Sequence, residues 1–271
     1  MGFRARPPGS IVDDMYMARI LIPLPDTDFD TTEVAVPWRL LTRAGHEITF
    51  ATEHGREAAC DARLLTGVLF GKLGADPEAK RFYAQMQGSE QFRRPIAWLQ
   101  IAPENFDALL LPGGHAPGMR QYLGSAELQS KVAAFANLDR PIASICHGVL
   151  LLARAIDPLT GASVLRWRKT TCLPKYMEAL AYALTAWKLG RYYRTYPVYV
   201  EDEVRAALAS PGQFQRGPIT LGARGTASDD RDAFVVEDGN FISARWPGDA
   251  YALAKRLLAR LPKPVVAEHV A

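Results

Sequence analysis

The sequence predicts an α/β fold, a doubly wound, mostly parallel sheet with helices on both faces. Three observations carry this. Ile20-Leu21-Ile22, Leu109-Leu110-Leu111 and Ile142-Ala143-Ser144-Ile145 are apolar runs of strand length. They lack the alternation of a half-solvated sheet, as strands buried on both faces do. Segments with helical periodicity separate them. Lastly, Cys146-His147-Gly148 leaves almost no loop between a strand and the helix that follows it.

Taken in order, 18–24 (ARILIPL) is the first strand and 25–30 a loop. Thr31 or Thr32 is placed to cap a helix from about Glu33 to Arg43, because a hydroxyl there accepts from the first free amides. Gly45 ends that helix and Glu47–Ala51 is the second strand, completing a parallel βαβ unit. Residues 55–106 break the alternation, with weak helical patterning near Pro77–Met86 and with Trp98 and Phe106 to pack down. They read as a cap or insertion, a kind of segment that commonly shapes a pocket.

The third strand, Asp107–Leu111, runs into Pro112-Gly113-Gly114-His115. Two glycines at the carboxyl end of a buried strand let the backbone approach a ligand; on their own they are equally a plain turn. His115 reads as an exposed loop histidine near the mouth. Leu123–Ala136 is a helix, and Pro141 opens the next strand. Beyond it, Arg168–Leu173 has strand character, and Lys175–Lys188 is helical with Glu178 in its first turn. Arg191–Pro197 is an aromatic and basic stripe, read as a packed surface or interface. Val200–Ala209 is helical, 210–231 a loop, and Asp238-Gly239-Asn240 the turn of a hairpin. A last helix covers Gly248–Leu261.

The chemistry concentrates at Cys146. A strand that enters a helix so abruptly bends sharply, as in the nucleophile elbow of Gly-x-Ser-x-Gly sequences. The bend residue then sits at the helix N-terminus, where a thiolate is favoured and the thiol pKa falls. Glu33, in the first turn of a helix after strand one, belongs to the edge where open α/β sheets bind ligands. That stretch alone fits an ordinary helix-dipole acid as well.

Composition bounds the rest. The chain of 271 residues is 48% apolar, enough for one large domain over 17–261. Its net charge of +3 is too slight for a nucleic-acid partner. Three cysteines, Cys60, Cys146 and Cys172, lack paired spacing and point to a reducing compartment rather than a disulfide framework. No run approaches the length of a membrane span, so no membrane association is expected. Residues 1–16 lack a signal-peptide core and read as a disordered tail, with Met17 an alternative start, and 262–271 as a second tail. A cytoplasmic protein is expected.

Glu33 before Val34-Ala35-Val36-Pro37, Leu111-Pro112-Gly113-Gly114-His115 and Ala143-Ser144-Ile145-Cys146-His147-Gly148 together resemble the ThiJ/PfpI superfamily. Pro197–Glu203 and Val236–Asn240 extend the match over most of 18–261. The resemblance implies a flavodoxin-like, class I glutamine amidotransferase-like fold. The long segment before Asp107 and the Cys-His pair resemble the larger branch, which holds glyoxalase III and stress-induced chaperones.

By resemblance, Cys146 is the nucleophile, Glu33 hydrogen-bonds its sulfur, and His147 is the acid/base. Glu178 matches the place of the carboxylate that orients this histidine. Gly113, Gly114 and His115 match the oxyanion and substrate-binding loop, with the amides of Gly114 and His147 holding the oxyanion. The activity implied is cofactor-independent conversion of methylglyoxal-type dicarbonyls to hydroxy acids, with no metal, in a homodimer. Such chemistry needs a thiolate to add to an aldehyde and a base to move the carbon-bound proton.

Cleavage of an amide or small peptide by the same Cys-His-Glu set is the alternative reaction. Glutamine amidotransfer fits less well: Ser144 stands where that family has glycine, and no His-x-Glu pair lies near the carboxyl end. Outside catalysis, a holdase chaperone would need an exposed apolar patch, for which only 55–106 and the tyrosine-rich stretch are candidates. A thiol-based oxidant sensor would need only Cys146 and Glu33.

Overall fold

The computed structural model describes residues 17–220 and 222–262. The expected tails, 1–16 and 262–271, therefore lie outside the described residues apart from Pro262. Nine strands are described: β1 Arg19–Pro23, β2 Thr27–Phe29, β3 Glu47–Thr52, β4 Ala59–Cys60, β5 Ile96–Ala97, β6 Ala108–Leu111, β7 Ile142–Ile145, β8 Val235–Asp238 and β9 Phe241–Ala244. Seven form one sheet in the order β5-β3-β1-β6-β7-β9-β8, while β2 and β4 pair separately. Every contact in the large sheet is parallel except the β8–β9 hairpin. The fold is the doubly wound one the apolar runs predict.

The helices are α1 Thr31–Arg43, α2 Ala62–Thr66, α3 Pro77–Gln87, α4 Glu90–Arg93, α5 Met119–Gly124, α6 Ala126–Ala136, α7 Val149–Arg154, α8 Lys175–Leu189, α9 Val200–Ala207 and α10 Ala250–Leu258. One apolar core runs through both faces of the sheet, from Ile20, Ile22, Leu110 and Ile145 out to Trp38, Phe50, Val132 and Leu253. From β1 the chain winds outward to β3 in one direction, and β6, β7 and β9 lie in the other. The loops after β1 and β6 thus diverge at a switch point, the usual ligand crevice of such sheets.

Several local expectations change. The cap of α1 is Asp30, whose Oδ1 accepts from Thr32 N at 2.8 Å and Glu33 N at 3.0 Å; a carboxylate takes the place foreseen for a threonine. Residues 55–106 are more than a cap, because β5 extends the main sheet beside β3 and α3 lies along α1. The helix expected over Leu123–Ala136 is two, since Ser125 breaks it and caps α6 through Leu128 N. Arg168–Leu173 forms no strand: Thr170 makes an isolated bridge to Phe214. Instead Thr171 N donates to Ser243 Oγ at 2.9 Å, which seats the segment on β9.

Candidate active site

Cys146 follows β7 directly and adopts φ 59°, a left-handed conformation that costs a residue with a side chain on the order of 1 kcal/mol or more. The strain follows from the missing loop. A single turn, Cys146–Gly148, links β7 to α7. Gly148 is required there, because a Cβ would stand 2.2 Å from Leu111 O and 2.6 Å from Pro112 O. Gly113, on the neighbouring strand end, is equally confined: a Cβ would reach His147 N at 2.7 Å and Glu33 Oε2 at 2.9 Å. These contacts bring the loops after β6 and β7 and the start of α1 together.

Glu33 is fully buried in the first turn of α1. Its Oε2 accepts from Gly113 N at 2.8 Å, while its Oε1 is buried without a hydrogen-bond partner; the carboxyl interacts electrostatically with Cys146. His147 lies on the other side, with Nδ1 3.5 Å from Cys146 Sγ. Burial and the neighbouring Asp30 push the Glu33 carboxyl well above the usual range, so it holds its proton. Burial, with the His115 ring and the Arg154 and Arg194 guanidiniums, holds His147 well below the usual imidazole value, so it is neutral.

The thiol departs from expectation. Burial first, then Glu33 and Asp30, push Cys146 well above a free cysteine; the amide of His147 opposes them without prevailing. Cys146 is wholly buried, and desolvation of an anion outweighs the field of a six-residue helix. In this closed arrangement burial favours the uncharged form of all three groups, acid, thiol and imidazole.

His115 also departs from expectation. It is not a free loop histidine, for its Nε2 is buried without a partner. Its ring meets that of His147 edge-on at 4.7 Å and that of Tyr193 at 6.0 Å. Burial lowers it to about 4. Of the glycines, Gly113 N is occupied by Glu33, whereas Gly114 packs on Asp28, Asp30 and Met119.

Glu178 is the correction of most consequence. It is buried, but Oε1 accepts from Arg194 Nη1 at 2.7 Å and Oε2 from Val200 N at 3.0 Å. Both oxygens serve the start of α9 and the segment before it. Among the described residues, no carboxylate hydrogen-bonds the His147 ring.

The stripe 191–197, read as a packed surface or interface, packs against His115 beside the site. Tyr193 packs on His115, and its hydroxyl donates to Asp61 Oδ2 at 2.8 Å. Tyr192 donates to Asp61 Oδ1 at 3.3 Å, and Thr195 Oγ1 donates to His115 O. Asp61 and Tyr193 lie 132 residues apart in sequence, so no local pattern announces their contact. The open cleft lined by Arg140, Trp167, Arg168 and Asn240 lies at the amino ends of β7 and β9, the edge opposite Cys146.

Fold and site thus define an α/β protein with a buried cysteine at a strand-to-helix elbow, held between a carboxyl group and a histidine. A family profile described as ThiJ/PfpI family-like matches residues 24–218. The chain belongs to the ThiJ/PfpI family.

A protein of Pyrococcus abyssi named as a deglycase is 27% identical over 90% of this chain and 99% of its own length. An uncharacterized protein of Schizosaccharomyces pombe is 29% identical over 88% of this chain and 82% of its own. The crystal structure of glyoxalase III from Candida albicans superposes with a TM-score of 0.65 at 19% identity, covering 91% of this chain and 98% of that one. At that identity the likeness concerns the fold. Among the described residues, no helix is long and apolar enough to cross a membrane.

Proposed function

We propose that this protein is a cofactor-independent, cysteine-dependent enzyme acting on reactive dicarbonyls, of the glyoxalase III or deglycase kind. The observation that carries this is the placement of Cys146 between a protonated Glu33 and a neutral His147 Nδ1 at 3.5 Å. Relatives named as deglycases support the substrate class.

In this reading His147 takes the thiol proton as the sulfur adds to the aldehyde carbon of methylglyoxal. A C–S bond forms, and the carbonyl oxygen takes the proton to give a hemithioacetal. A base then removes the C1 proton and the carbon at C2 receives one, leaving a thioester. Water cleaves the thioester to lactate and returns the thiol, so one water is consumed per turnover and nothing is oxidised overall. Neutral His147 suits the base role, and the amides of Gly114 and His147 are the donors assigned to the oxyanion. A buried, uncharged site also favours a small neutral substrate, since entry then desolvates no charge. His147 acts here without a carboxylate partner, with Glu178 serving structure.

The test is an NMR assay with methylglyoxal and a panel of amides, without added cofactor, for wild type, Cys146→Ala and His147→Ala. Lactate from wild type alone is the expected result. Amide cleavage without lactate would move the protein to the hydrolase reading, and lactate from Cys146→Ala would end the proposal.

One observation favours a second, non-catalytic role. Phe70 and Trp187 are exposed yet stack at 6.4 Å, and Leu180 and Leu184 lie exposed on the same helix α8. Such a patch is what a holdase would present. Suppression of client aggregation by wild type, lost in Phe70→Ser/Trp187→Ser with lactate production retained, would establish it.

A further inference from the structure

We propose that His115, Cys146 and His147 form a three-ligand site for zinc or a similar thiophilic divalent cation, and that its occupancy silences the thiol. The sequence gives no metal-binding spacing; only the fold assembles the donors. His115 comes from the loop after β6, and Cys146-His147 from the turn after the adjacent β7. Their ligating atoms all lie within 4.8 Å of one another.

The geometry is close to that of a bound ion. With zinc–sulfur bonds of about 2.3 Å and zinc–nitrogen bonds of about 2.0 Å, a tetrahedral S···N edge is about 3.5 Å. Cys146 Sγ and His147 Nδ1 are 3.5 Å apart. The His115 ring needs to close on the other two by no more than about 1.5 Å to complete the same polyhedron.

A second, independent observation points to a ligand. His115 Nε2 is buried and has no partner, a state that ordinarily has a reason. The residue is anchored: Thr195 Oγ1 fastens its backbone carbonyl, and the Tyr193 and His147 rings pack against its own. Support of this kind preorganises metal ligands. One thiolate with two imidazoles is a donor set suited to zinc.

The surrounding charges act in both directions on a cation. Arg154 and Arg194, on the His147 side, are paired with Glu203 and Glu178, while Asp30 and Glu33 stand beside the sulfur.

Binding requires no redox partner. The thiol proton leaves to solvent, the sulfur forms its bond to the metal, and each imidazole donates a lone pair. Three protein ligands leave a fourth position for water. A sulfur lone pair held by zinc is withdrawn from attack on a carbonyl carbon. The silencing therefore rests on the nucleophile assignment of the proposed function, whereas the site itself does not.

The experiment is a titration of the full chain with Co²⁺, followed by competition with Zn²⁺. One Co²⁺ per chain is expected, with thiolate-to-cobalt charge transfer and the visible bands of tetrahedral coordination, all displaced by Zn²⁺. Cys146→Ser should abolish the charge transfer, and His115→Ala and His147→Ala should each weaken binding at least ~10-fold. Cys60→Ser and Cys172→Ser should leave it unchanged. Circular dichroism verifies that each variant folds, and the Zn²⁺-dependent rise in melting temperature should disappear with the ligands.

A charge-transfer band that survives in both histidine variants, or none at stoichiometric Co²⁺, overturns the site. Undiminished methylglyoxal turnover at zinc saturation overturns the silencing and the nucleophile role together. A chain that binds zinc with the expected signature but never turns over methylglyoxal refutes the proposed reaction alone.

Discussion

Replacing Glu178 by glutamine separates a structural from a catalytic carboxylate. Its side chain is 1% exposed and that of its partner Arg194 8%. Oε1 bonds Arg194 at 2.7 Å, and Oε2 holds Val200 N, the first amide of α9, at 3.0 Å. Arg194 is fixed further by Pro197 O at 2.6 Å and by the Tyr199 ring 3.7 Å from its guanidinium carbon. Breaking a buried ion pair from one side costs about 3–5 kcal/mol, because the remaining charge is stranded. Glutamine keeps the volume and one acceptor, so the lower end applies, about 3 kcal/mol.

At about 2–4 °C per kcal/mol for a domain of this size, the melting temperature should fall by about 6–12 °C. Urea unfolding followed by circular dichroism measures the loss. A double-mutant cycle with Arg194→Met should return a coupling of at least ~1 kcal/mol. The pH profile of turnover by the folded fraction should keep its midpoint, since Glu178 does not touch His147. The reasoning fails if Glu178→Gln unfolds within ~0.5 kcal/mol of wild type yet loses ~10²-fold in turnover with a shifted profile.

Two further outcomes follow from the same geometry. Gly148→Ala should cost about 3 kcal/mol or more and lower the urea midpoint, because the backbone oxygens of Leu111 and Pro112 cannot yield to the new methyl group. Gly161→Ala, at φ 66° with open space around it, should cost only about 1–2 kcal/mol; equal losses would discredit the steric argument. His115 is lowered to about 4 in the fold against about 6.5 in an unfolded chain, so the unfolded state binds the extra proton between those values. Stability should therefore be complete above ~6.5 and fall as the pH drops towards ~4, by about 3 kcal/mol from this group; His115→Gln should flatten that slope, and an unchanged slope would refute the assignment.

The parts of the fold legible in the sequence were those set by local chemistry. Apolar runs marked β1, β6 and β7, and Asp238-Gly239-Asn240 marked the β8–β9 turn, because strand burial and turn geometry act on neighbouring residues. Cys146, His147 and Gly148 were legible for the same reason, since a missing loop is a local fact. Thr31 and Thr32 misled because Asp30, one residue earlier, competes for the same amides and carries charge. Arg168–Leu173 misled because strand composition is satisfied equally by seating on Ser243 Oγ. Glu178 lay outside local logic altogether, as its partners Arg194 and Val200 are 16 and 22 residues downstream.

Burial of the thiol opposes the helix N-terminus, and this bears on mechanism. A helix N-terminus favours an anion only where the anion can exist, and full burial beside two carboxyl groups disfavours it more strongly. Burial therefore favours Cys146 as a thiol, and in the proposed mechanism proton transfer to His147 belongs to the encounter with substrate. Asp61, which holds the hydroxyls of both Tyr192 and Tyr193, lies in the 55–106 segment, so that segment fixes the tyrosines that pack beside His115. Cys146 is wholly buried, which shields the sulfur from oxidants and, on the proposed reading, favours turnover on small neutral carbonyls over service as a permanently poised oxidant sensor.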